Sequence, residues 1–101
     1  MSARKETKPP IPPDQLKEEM GLPSSAPFVG YGVQLTATEE FLALEHQNGD
    51  FAGWAWTRFP NYAKHFHRYD KASRSAKRYG KGATVVYMFD VGEQYIVGFV
   101  D

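Results

Sequence analysis

All fifteen aromatic residues of this chain lie at or after Phe28, whereas six of its seven prolines (Pro9, Pro10, Pro12, Pro13, Pro23 and Pro27) precede that position. This partition limits what can fold. Aromatic rings bury the most apolar area per residue, and a small domain needs that density because so much of it is surface. A segment without such area does not offset the entropy of ordering its backbone. The sequence therefore predicts a single globular domain over residues 28–101, preceded by a flexible proline-rich tail at 1–27. Within the tail, residues 14–20 carry the marks of a short helix, with Asp14 as N-cap, Leu16 and Met20 sharing a face, and Gly21 as the stop. A helix this short is unstable alone, so the fold is expected to survive removal of residues 1–25. The chain has no cysteine, which excludes disulfides and thiolate zinc sites. Neither a signal-like apolar run nor a stretch of membrane-spanning length occurs, so the expected address is the cytoplasm, or the nucleus in a eukaryotic host, and no membrane partner is expected.

Periodicity supplies the elements. Tyr31 to Thr36 alternates and reads as a first strand. Phe41–His46 and Phe51–Thr57 flank Gln47-Asn48-Gly49-Asp50, and Asn-Gly between two aromatic-rich runs is the strongest short-range hairpin signal. It outweighs the competing reading, in which Thr38, Glu39 and Glu40 cap a helix that runs to His46. Phe59-Pro60-Asn61 breaks regular structure, and one helical turn is expected at Tyr62–Phe66. Asp70 to Tyr79 is the clearest helix: Asp70 suits the N-cap, Ala72 and Ala76 stack at i,i+4, and Gly80 falls at the C′ position. Ala83–Phe89 and Tyr95–Val100 follow as a closing hairpin. The order β-β-β-α-β-β predicts an α+β fold, an antiparallel sheet with one helix packed on one face.

Charge is segregated as sharply as the rings. The formal net charge is zero, yet every lysine and arginine outside the tail lies between Arg58 and Lys81. That window holds Arg58, Lys64, Arg68, Lys71, Arg74, Lys77, Arg78 and Lys81 against one acid, Asp70. On the predicted helix, Lys71, Arg74, Arg78 and Lys81 fall opposite the face of Ala72, Ala76 and Tyr79, so the cationic stripe points outward. Ser73 and Ser75 add hydroxyl donors nearby. A mixed-sign face would suffice for solubility; an acid-poor one fits phosphate or an acidic surface. The eight cations are therefore the candidate binding residues, with Tyr62, His65 and His67 as auxiliary contacts. Phe66 and Tyr69 lie among them and would stack on bases if exposed. Trp54 and Trp56 share one side of a strand and read as core facing the helix, or as a stacking platform if that side is open.

Other chemistries find little support. His65 and His67 alternate, but no Asp, Glu or Cys at ligand spacing completes a metal site. Gly80-Lys81-Gly82 fails the Walker and dinucleotide patterns, and Ala83 stands where an RNA-recognition motif needs an aromatic, so no cofactor is expected. The surviving catalytic alternative is a small metal-independent ribonuclease or toxin in which His65 and His67 exchange protons, with Lys64 and Arg68 stabilising the transition state.

The stretches Ala63-Lys64-His65-Phe66, Tyr69-Asp70-Lys71-Ala72-Ser73-Arg74-Ser75-Ala76-Lys77-Arg78-Tyr79-Gly80 and Ala83-Thr84-Val85-Val86 together resemble small phage and mobile-element accessory proteins. These have a sheet-plus-one-helix domain, and some anti-CRISPR-like inhibitors are among them. The proline-rich leader departs from that pattern. The resemblance implies a host- or defence-facing binding role, such as a phage-encoded inhibitor of a host defence or nucleic-acid machine in the host cytoplasm, and no particular chemistry. The combined expectation is a non-enzymatic binding protein whose 58–81 surface engages a nucleic acid or an acidic protein or nucleoprotein partner.

Overall fold

A computed structural model describes residues 8–48, 51–80 and 82–99, with the backbone alone at 45–48 and 51–53. Five antiparallel strands form one sheet: β1 (Phe28–Leu35), β2 (Glu40–Asn48), β3 (Phe51–Thr57), β4 (Ala83–Asp90) and β5 (Tyr95–Gly98). Their spatial order is β3-β2-β1-β4-β5. A short helix α1 (Pro13–Glu19) precedes them, and a 3-10 turn (Pro60–Tyr62) and helix α2 (Tyr69–Arg78) lie between β3 and β4. The α+β class and the β-β-β-α-β-β order are thus as expected.

The central pair is β1 with β4, in register from Phe28↔Phe89 to Leu35↔Ala83. Successive side chains of a strand point to opposite faces. Tyr87 and Phe89 accordingly pack with Tyr31, Val33 and Leu42 under the helices, while Val86 and Met88 pack with Phe41 and Ala63 on the reverse. The valine- and aromatic-rich β4 is buried on both faces, which explains its nearly unbroken apolar run. Helix α2 lies close to the sheet because its inner face is small: Ala72, Ser75 and Ala76 are buried. Gly80, in the left-handed region, follows its last turn.

The helix starts one residue earlier than expected. Arg68 is the N-cap and makes no side-chain cap, and Asp70 sits inside the first turn. Ser75 faces inward and is no surface donor. Strands β2 and β3 pair from Phe41↔Thr57 to Asn48↔Phe51 as a hairpin requires; Gly49 and Asp50 lie outside the described residues. A bulge at Ala43 shifts the register between Leu42 and Leu44. It reverses the alternation, so Leu42 is buried and Leu44 is exposed. The expected helical turn at Tyr62–Phe66 is instead the 3-10 turn followed by extended chain.

The tail corrects the domain boundary. Part of the segment before Phe28 docks on the domain: Leu16 of α1 belongs to the core, and Ile11, Met20 and Leu22 pack around it. Pro12 is the N-cap in place of Asp14, with proline at the first helical position, where its missing N–H costs nothing. The buried Tyr87 hydroxyl needs an acceptor and donates to the Ile11 carbonyl at 2.8 Å. Gly98 eases the docking, since a Cβ there would collide with Met20 Sδ and crowd Leu16 Cδ2. Aromatic density proved too narrow a criterion, because four aliphatic side chains suffice when prolines have already restricted the unfolded leader. Leu16→Ala is expected to cost about 2 kcal/mol. Deleting residues 1–25 should lower the melting temperature; urea and thermal unfolding followed by circular dichroism check both.

Candidate functional site

Strand β1 pairs with β2 only at Gln34↔Phe41 and Leu35↔Glu40. The residues from Lys64 to Phe66 provide further partners where the two strands part. The Lys64 N–H donates to the Leu42 carbonyl at 2.7 Å, the Phe66 N–H to the Tyr31 carbonyl at 2.7 Å, and the Tyr31 N–H to the Phe66 carbonyl at 2.8 Å. This inserted segment alternates like a strand. Phe66 enters the helix-side core, while the His65 ring lies against Tyr95 with centroids 5.4 Å apart. The His65 Nε2 also stands 3.4 Å from the Pro60 carbonyl, which ties the segment to the 3-10 turn. Gly30 permits the insertion: its φ is +144°, and a Cβ there would sit 3.0 Å from the Phe66 carbonyl oxygen and 3.2 Å from His65 Cβ.

The segment and the start of α2 enclose a groove of about 300 Å³ lined by Lys64, His65, Phe66, His67, Arg68 and Lys71. Three of the predicted cations and both histidines of the pair therefore meet. The Lys64 ammonium stands 5.2 Å from the centre of the Phe66 ring, a cation–π placement. Arg68 is not free: its Nε and Nη2 donate to the two Asp70 oxygens at 3.0 and 2.8 Å. Arg74 Nη2 stands 3.9 Å from the same carboxylate. Burial alone would raise the Asp70 pKa, but the hydrogen bond and charge of Arg68, the Lys71 backbone N–H and the charge of Arg74 outweigh it. The net shift is downward. Asp70 thus holds the first turn together, where a negative charge also favours the helix dipole.

Beyond the groove, Arg74, Lys77 and Arg78 are exposed along α2. Arg58 is exposed past the end of β3 and does not line the groove, and Lys81 lies outside the described residues. Of the auxiliary rings, Tyr62 is exposed, whereas Phe66 is buried and Tyr69 packs edge-on to Tyr31, so these two are structural. Trp56 leans on the core and Trp54 is 57% exposed; both meet the ring of Tyr79, at 5.1 and 5.9 Å. Among the described residues no three His, Cys, Asp or Glu side chains gather as metal ligands, and no helix is long and apolar enough to cross a membrane. Sequence reasoning missed exposed Phe59, the platform residue Gly30 and the neutralising role of Asp70. A glycine two residues after Phe28 and an Arg-x-Asp pair were the available signals. No protein-family model, curated protein or solved structure matches the chain.

Two outcomes follow from this geometry. Gly30→Ala should destabilise the protein by about 2 kcal/mol, since it adds both backbone strain and a collision; urea unfolding measures it. Asp70→Asn should lower the melting temperature at neutral pH. The folded state holds this carboxylate more tightly than the unfolded chain does. Its contribution is therefore complete above the ordinary value of 3.8 and fades as pH falls through the lowered folded value. The gap between Asp70→Asn and the parent should close on acidification below about pH 4, as thermal unfolding against pH would record.

Proposed function

We propose that this protein is a non-enzymatic module that binds nucleic acid through the basic surface of residues 58–81. The observation that carries the reading is continuity. Lys64, Arg68 and Lys71 line the groove, and Arg74, Lys77 and Arg78 extend the same charge along the outer face of α2. The one acid of the window is turned onto Arg68, not toward a ligand. Positive side chains spaced along a helix and a groove follow a phosphate chain, releasing its counterions. Binding is stoichiometric, and the resemblance to phage accessory proteins extends the reading to inhibition of a host nucleic-acid machine by occupying such a ligand.

Fluorescence anisotropy with labelled oligonucleotides at several salt concentrations tests this. Affinity should fall log-linearly with salt, with a slope of about 0.7 to 0.9 per phosphate engaged. Lys71→Gln with Lys77→Gln should weaken binding by about tenfold or more while leaving the melting temperature nearly unchanged, because both side chains are exposed. Asp70→Asn should do the reverse, tightening binding while destabilising the fold, since it removes the one acid of the 58–81 window and releases Arg68. Absence of binding at low salt would redirect the reading to an acidic protein surface. RNA incubated with pure protein in chelator should stay intact; cleavage lost in His65→Ala with His67→Ala would replace the reading with a ribonuclease.

A further inference from the structure

We infer that the ligand of this surface is a single strand whose bases stack on Phe59 and Tyr62, an inference that rests on the phosphate-binding reading above. Phe59 and Tyr62 are 61% and 68% exposed. Leaving two large rings in water costs a small domain apolar area that its core could have used. They are not loosely held. The Tyr62 N–H donates to the Phe59 carbonyl at 3.0 Å, the Ala63 N–H to the Pro60 carbonyl at 3.1 Å, and the Phe59 N–H to Thr57 Oγ1 at 3.1 Å. The two rings meet edge to face, 6.1 Å between centroids at 84°. The turn thus holds the backbone that carries the two rings and sets them side by side in crossed orientations.

Their position links them to the cations. The turn that carries them presents its Pro60 carbonyl to His65, and His65 lines the basic groove. A chain that places bases on the rings can run its phosphates into the groove toward Lys64 and Lys71. A duplex keeps its base faces stacked inside and would engage only the cations, whereas an unpaired strand uses both features. The combination of a cationic track and sequence-tolerant ring faces is the recurring design of single-strand binders.

Anisotropy of a labelled single strand, the same sequence as a duplex, and heparin as a base-free polyanionic competitor distinguishes the outcomes. The single strand should bind more tightly than the duplex. Phe59→Ala with Tyr62→Ala should weaken single-strand binding by about ten- to a hundredfold and leave heparin affinity and the melting temperature unchanged. Phe59→Trp with Tyr62→Trp should restore the affinity. Unchanged single-strand affinity in the alanine variant, or equal affinity for the duplex, would overturn the inference while the basic-surface reading stands. Failure of every polyanion, heparin included, to bind at low salt would overturn both.

Discussion

Where β2 parts from β1, the backbone N–H and C=O groups of Tyr31 need partners, because unpaired buried groups cost about 1–3 kcal/mol each. The Phe66 main chain supplies them on both sides, at 2.7 and 2.8 Å, and Lys64 reaches across to Leu42. That requirement positions the groove. With Phe66 pinned in the core, Lys64 and His65 cannot drift, and the chain must continue through His67 and Arg68 directly into α2. The bidentate Arg68–Asp70 pair then fixes the helix start. Structural and charged residues alternate along this stretch, so one set of main-chain bonds orders both.

The electrostatic consequence is unequal use of the cations. Exposed ion pairs contribute little to stability, but Asp70 is largely covered, with its side chain 16% exposed, and is shared between two arginines. Arg68 is therefore a structural residue first, whereas Lys71 and Lys77 are exposed and make no ion pair among those found in the described residues. The segregation of charge along the sequence becomes a surface with a defined focus rather than a uniform patch.

Most of the architecture was legible, and the reasons are local. Alternation in Tyr31–Thr36 and Ala83–Phe89, and alanine spacing with Gly80 after α2, act within a few residues. What escaped depends on tertiary contact. The docking of Leu16 involves Gly98 and the Tyr87 hydroxyl, both more than seventy residues away. The insertion at Lys64–Phe66 needs the missing Cβ of Gly30, and a glycine after Phe28 does not say which distant segment will approach it. The cationic stripe was visible from helical spacing. Its partial neutralisation was not, because an aspartate at a helix start suits a backbone cap, whereas Asp70 also takes the side chains of Arg68 and Arg74. Phe59 lies in a proline break that carries no periodicity, and its exposure follows from the turn that the break creates.

The helix that carries the stripe contributes few large apolar groups of its own, since Ala72, Ser75 and Ala76 must be small for it to lie flat. Its orientation is held at the ends. Tyr69 packs edge-on to Tyr31 at 5.5 Å, and Tyr79 sits between Trp54 and Trp56. Aromatic pairs of this geometry add about 0.5–1.5 kcal/mol each beyond burial, enough to fix the rotation of a ten-residue helix about its axis. The rings that hold the helix against the sheet thus lie apart from the cations it displays, except that Arg68 and Arg74 meet Asp70 at its start. Substitution of the exposed Lys71 and Lys77 therefore leaves the packed face untouched, whereas Arg68 and Arg74 share Asp70 and cannot be changed without loosening the first turn.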